Sequence, residues 1–438
     1  MGIGYWLSNG LKVLWSVLIF SYGLQLLLFY FVSDEPVIWN FSRPNFSFYA
    51  SLIVFFGCFI LFTFRAIHLK KLGLVSKILL KVSVSLSKVL SLFWFKYRFL
   101  HVYLYLVVGV YWLGAGLAHY RYDGIAISDK LSVEILIGML WKVFFIADFW
   151  FHVILRVLGK KNHKYKHKRL INFTFLLTLT GTTSVVYFVV HSTFVYFPKF
   201  FIRILKISIR DVIFRNKVVL IRIVLFIPIA LVLASTAFHY GELIKTKNEQ
   251  TFVDRFSSSE SLASIKRFLV QRTSTTLYGH TYLWGQEDLG LSDYKNNLKI
   301  PFSNFLYRAD ILCGRPFGVS KPEIASINRL NYTTISAIEP DKTSGASPGL
   351  IPGFLYIFPS WLAIIVAAYV LSKVAILINL CISDLTFITV SFTVFIFLDL
   401  TKAVILVLNP LDQVFFFFLF FLGLNGILYR VKKGRFSF

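Results

Sequence analysis

Long apolar runs separated by short charged ones organise this chain. Leu11 to Val32, Tyr49 to Phe64, Phe99 to His119, Val133 to Leu158, Val218 to Tyr240 and three later runs over 353–372, 374–399 and 413–429 approach or reach a bilayer-crossing length. A helix needs roughly 20 apolar residues for that. Leu11 to Val32 is of full length and has no Ala-x-Ala ending, so it is read as a retained first helix rather than a signal peptide. The pattern predicts an all-α polytopic membrane protein with about nine to eleven transmembrane helices.

Two stretches depart from the simple crossing pattern. Between Lys77 and Lys96, Lys77, Lys81 and Lys88 recur at near-helical spacing with apolar residues opposite, which predicts a helix lying on the inner leaflet. Ile171 to Phe197 is interrupted by Gly181, Thr182 and Thr183. It is read as a short helix going out, a break, and a second helix coming back, since backbone freed at a break is tolerated only inside protein or beside a wet cavity.

Charge sets the orientation. The chain carries +25 formal charges, and this excess sits between the apolar runs. Residues 65–98 hold eight Lys or Arg and no acid, and Lys160 to Arg169 holds six cations. Cytoplasmic loops carry such an excess, so the charge reads as a topology signal rather than a nucleic-acid footprint. Both termini are then cytoplasmic. The hairpin at Gly181 keeps the basic Lys199 to Lys217 segment inside, and the hydrophilic stretch 240–352 lies outside. Three regions follow: 1–239 with transmembrane helices and basic loops, 240–352 as a partly helical external cap, and 353–438 with the remaining helices.

The cap is a different material from the loops. It holds 11 of the 21 acids against 13 cations and is therefore nearly neutral. Ser257 to Glu260 fits a capping box ahead of a helix over 258–272, and the Pro- and Gly-punctuated remainder reads as irregular. Cys313 is the only cysteine there, so the cap has no internal disulfide. No Cys or His cluster has zinc-ligand spacing; neither a metal nor a cofactor is expected. Topology does not require positive charge outside, which singles out Arg267, Arg272, Arg308, Arg315 and Arg329 as candidate phosphate ligands; the alternative is an ordinary mixed surface. His280 has the chemistry of a general base near neutral pH, or is a hydrogen-bonding residue. Within Val133 to Leu158, Asp148 and His152 sit one turn apart with Lys142 nearby, and ionisable groups at that depth face a bundle interior.

The arrangement resembles the O-antigen polymerase (Wzy) family of bacterial inner-membrane enzymes. Three places carry the likeness: the broken helix Leu177 to Ser184, the run Arg272 to Tyr282 followed by Ile300-Pro301, and Gly345 to Leu350 leading into an aromatic-rich helix. The turn after Gly181 has no Arg, so the cap has to supply the phosphate-binding charge. The resemblance implies a GT-C-like fold and a metal-independent glycosyltransferase that polymerises undecaprenyl-diphosphate-linked oligosaccharides at the periplasmic face. It further implies membrane lipids and a chain-length regulator protein as partners, without nucleic acid. Arg272, Arg308, Arg315 and Arg329 would bind the leaving diphosphate, His280 or Asp310 would act as base, and Tyr278, Trp284 and Tyr307 would contact sugars. Two other classes fit the residues: a non-catalytic subunit of a membrane complex, as Phe-rich chains with few acids often are, and a polysaccharide or lipid transporter using Asp148, His152, Asp384 and Asp399.

Overall fold

A computed structural model describes residues 46–68, 74–96, 98–114, 145–146, 148–153, 156, 168–177, 182–200, 280, 283–284, 290–324, 326–336, 349–381 and 413–433. Among them every regular element is helical and there is no strand. The predicted spans Leu11 to Val32, Val218 to Tyr240 and residues 382–399, and the predicted helix 258–272, lie outside the described residues.

The helices are α1 (Phe46–His68), α2 (Leu74–Lys96), α3 (Arg98–Gly114), α4 (Lys168–Leu177), α5 (Thr182–Tyr196), α6 (Leu291–Leu312), α7 (Ile327–Ser336), α8 (Leu350–Leu355), α9 (Ser360–Cys381) and α10 (Gln413–Lys432). They divide between two compact units. One comprises residues 1–90, 269–384 and 390–438; the other comprises 91–268 and 385–389.

In the first unit α1 packs along α9. Phe48, Leu52, Phe55 and Phe59 follow helical spacing on α1 and are buried, while α9 buries Ala363, Ala367, Ala368 and Ala375. Large rings on one helix against methyls on the other allow a close, void-free contact. The Ser51 and Thr63 hydroxyls, buried on α1, donate to the carbonyls of Phe48 and Phe59. The opposite side of α1 exposes Ile53, Ile60, Leu61 and Phe64. The span Phe46–Arg65 is the one described helix long and apolar enough to cross a membrane, and 33% of it is buried.

Two expectations change. The helix α9 runs through Lys373 without the turn that the charge pattern placed there between 372 and 374. The Lys373 ammonium lies 4.3 Å from the Tyr369 ring centroid, a cation–π contact one turn back that accommodates the charge within the helix. On α2 the buried stripe is Ser76, Ser83, Ser87 and Leu90, while Ile78, Val82 and Val89 are exposed. The reason is α10. A Cβ at Gly426 would overlap the Ser83 carbonyl and one at Gly423 would overlap Leu90, so the helices meet through their smallest residues. Finally, the cap region read as irregular contains α6 and α7. Pro301 sits inside α6. Tyr294, Asn304, Asp310 and Ile311 are the buried positions of α6, and with two of the four polar, hydrophobic periodicity does not reveal the helix.

In the second unit α4 packs on α3 and on α5. The α4–α5 pair is antiparallel: Asn172 near the start of α4 bonds His191 and Ser192 near the end of α5. Antiparallel pairing is what the expected hairpin requires; its break at 178–181 lies outside the described residues. Ten residues of α4 rise only about 15 Å, half a bilayer core.

Candidate functional site

Within the first unit, His280 and Trp284 meet the helices α1 and α9. His280 is buried, its ring 4.6 Å from Phe48 and 5.9 Å from Trp284 between centroids. Its Nε2 lies 3.1 Å from Ser51 Oγ. The single Ser51 hydroxyl proton already goes to the Phe48 carbonyl at 2.6 Å, so the hydroxyl accepts from His280 and the imidazole is the Nε2–H tautomer. Nδ1 is buried with no hydrogen-bond partner among the described residues. Burial in this aromatic surround pushes the imidazole pKa down from 6.5 to about 3, which keeps it neutral. Trp284 donates its indole N–H to Ser47 Oγ at 2.7 Å and meets Trp361 edge-on at 5.2 Å. His280 and Trp284 therefore join the first two turns of α1 to the first turn of α9, which fixes those two helices as parallel neighbours.

Asp310 is an organiser of the turn after α6. Its Oδ1 accepts the Phe317 amide and its Oδ2 the Val319 amide, both at 2.8 Å. Between them Gly314, Arg315 and Gly318 all have positive φ, at 85°, 62° and 59°. Two carboxylate–amide bonds hold a backbone that a non-glycine residue at Arg315 otherwise disfavours. With both oxygens engaged in this way, Asp310 braces the turn.

The arginines are distributed along this segment. Arg308 donates Nε–H to Asn304 Oδ1 at 3.0 Å within α6. Arg315 projects from the left-handed turn, and Arg329 lies in the first turn of α7, where its amide donates to the Ser326 hydroxyl. The helices α6 and α7 pack on each other. Tyr356 ties both to the start of α9: its carbonyl accepts the Asn297 amide of α6 at 2.9 Å, and its hydroxyl donates to buried Asn331 of α7 at 3.1 Å. Tyr307 is half-buried on α6. Arg272 and Tyr278 lie outside the described residues.

The second unit holds a polar cluster of its own. Asp148, His152, Asn172 and His191 are all buried. Asp148 Oδ1 lies 3.2 Å from His152 Nε2, and His191 Nδ1–H donates to Asn172 Oδ1 at 2.8 Å. The His191 ring lies against Phe145 and Phe149, on the helical segment that carries Asp148 and His152, and both of those groups act electrostatically on it. Lys142 lies outside the described residues. Sequence reading singled out Asp148 and His152 but missed Asn172 and His191. The available signal was two polar residues at nearly equal distance on either side of Gly181. For Ser47, Ser51 and Trp361, contacts across more than 70 residues of sequence, no local signal exists.

Comparison of the chain with models of known protein families, with curated proteins and with solved structures gives no match.

Proposed function

We propose that the protein is a multi-pass membrane glycosyltransferase of O-antigen-polymerase type, joining lipid-linked oligosaccharides beneath an external cap. The observation that carries the reading is the seat at His280 and Trp284. His280 and Trp284 are fastened to the starts of α1 and α9, and Asn297 of the Arg308-bearing helix α6 to Tyr356 just before α9; in this reading a diphosphate at a bilayer surface lies beside them. Support for the membrane comes from α1, whose exposed side is Ile53, Ile60, Leu61 and Phe64; apolar surface on a helix of that length suits lipid. The expected topology also requires α1 and α9 both to run inward, and they are parallel.

In this reading Arg308, Arg315 and Arg329, with Arg272, stabilise the leaving diphosphate without a metal, because guanidinium groups keep their charge and bind phosphate oxygens in pairs. His280 is a positioning residue, since it is neutral, buried and fastened to Ser51. Tyr307 and Trp284 provide sugar-stacking surfaces. The chain reconstituted in nanodiscs with undecaprenyl-diphosphate-linked repeat units should yield a ladder of products by mass. Arg308→Gln and Arg329→Gln should shorten or abolish the ladder, and absence of a ladder from the intact protein refutes the assignment.

A second reading, a proton-coupled transporter, is favoured by the Asp148, His152 and His191 cluster, since buried ionisable groups in apolar helices commonly line proton paths. Vesicles bearing the protein under an imposed pH gradient separate the two. Proton uptake that is lost in Asp148→Asn supports transport, and an unchanged gradient removes it.

A further inference from the structure

The helix α6 has two distinct sides. Asn304 and Ile311 face the interior, and the Asn297 amide reaches Tyr356. With successive residues about 100° apart, Leu298, Phe302, Phe305, Leu306 and Leu312 gather on another side, about a third of a turn away. All five are exposed, Phe302 at 64%, and Phe317 of the following turn is exposed at 83%. Lys299 borders this stripe on one edge and Arg308 on the other; at the start of the helix Lys295 falls within it and Tyr294, at its margin, is buried, and Arg315 and Lys321 lie beyond the helix end.

We infer that α6, with Phe317, is an interfacial helix that lies in a lipid leaflet beside the spans, its apolar stripe among acyl chains and its bordering cations on anionic headgroups. Three observations select a lipid surface. The stripe is aromatic and aliphatic and flanked by cations, as in helices that lie flat on anionic membranes. Asp293, Lys295, Asn296, Lys299 and Arg308 make the helix too polar to cross a bilayer, although its length, about 33 Å, would suffice. The third is depth. The Asn297 bond to the Tyr356 carbonyl pins α6 to the turn just before α9, at the end where Trp284 joins Ser47 and Trp361. Trp at such positions marks the level at which spans leave the hydrocarbon.

This inference rests on the membrane placement proposed above and adds a consequence. The cap is not merely held over the helices; its own helix contacts the leaflet from which a prenyl-linked substrate would arrive. Asp310 then has a defined purpose, because the turn it braces presents Phe317 and Arg315 next to the stripe.

The test uses the full chain in nanodiscs containing phosphatidylglycerol, with the native cysteines replaced and one spin label at Ile53, Asn296 or Phe302. Oxygen reports lipid and a nickel chelate reports water. Labels at Ile53 on α1 and Phe302 on α6 should both favour oxygen, while Asn296, on the far side of α6, should favour nickel. Nickel access at Phe302 equal to that at Asn296, with Ile53 still in lipid, overturns the inference but leaves the membrane reading standing. Nickel access at all three sites overturns the membrane reading itself. Protection of Phe302 from both reagents means that protein, such as a second copy of the chain, covers the stripe, and this also overturns the inference.

Discussion

Two buried histidines in aromatic surroundings, one in each unit, are held in different ways. His280 arrives from a segment more than 200 residues away in sequence and is anchored by one hydroxyl, Ser51. His191 belongs to a helical hairpin and bonds the amide of Asn172 nineteen residues earlier, with a carboxylate nearby. The first contact ties a distant stretch of the chain to α1 and carries no charge. The second completes a polar network inside a hairpin. A neutral ring with a single weak partner can be released at modest cost; a network with several satisfied groups cannot be dismantled one member at a time.

Changes that separate the two sites differ in size. Asn172→Leu should be the most damaging, since it removes the acceptor of both His191 and Ser192; each orphaned donor costs about 1–3 kcal/mol. Thermal unfolding in detergent measures this. The double variant Asn172→Leu with His191→Leu should recover part of the loss, and full additivity would show that the two side chains are not coupled.

Ser51→Ala at the cap should cost about 1–3 kcal/mol, because the buried Nε2–H of His280 loses its acceptor. Hydrogen exchange should show the effect concentrated at residues 280–284 with α5 unaffected. If α5 amides lose protection equally, the cap seat is not an independent fastening.

A pH dependence follows with a definite sign. The folded pKa of His280, about 3, is below the unfolded 6.5, so the unfolded or undocked state binds the proton more tightly. Stability contributed by the neutral ring is therefore complete above pH 6.5. It falls as pH drops from 6.5 towards 3, by at most about 1.4 kcal/mol per unit. Indole fluorescence of Trp284, followed in a background lacking the other tryptophans of the seat, should report release on acidification. His280→Gln should flatten that profile, and an unchanged profile places the titration elsewhere.

The smallest effect is expected at Asp310. Asp310→Asn keeps one acceptor and loses charge assistance to the Phe317 and Val319 amides, costing about 1 kcal/mol. Proteolysis of the turn 313–319 should accelerate, while the unfolding temperature of the whole chain stays close to that of the parent.

The apolar runs and their basic borders determined the helical class, the antiparallel pairing of α4 with α5 and the middles of α1, α3 and α10, because long apolar runs and helix-breaking residues act locally. Local pattern also marked 240–352 as nearly neutral beside the basic remainder of the chain, with Arg308, Arg315 and Arg329 within it. What it could not contain was α6, whose buried positions are half polar and whose apolar stripe faces away from the core. Nor could it contain the serine face of α2, which is buried only because Gly423 and Gly426 of α10 bring the backbones together. The roles of His280 and Asp310 were likewise decided in three dimensions. Proton chemistry depends on what surrounds a group: Phe48, Trp284 and Ser51 make the histidine a neutral fastener, and two turn amides make the aspartate a brace.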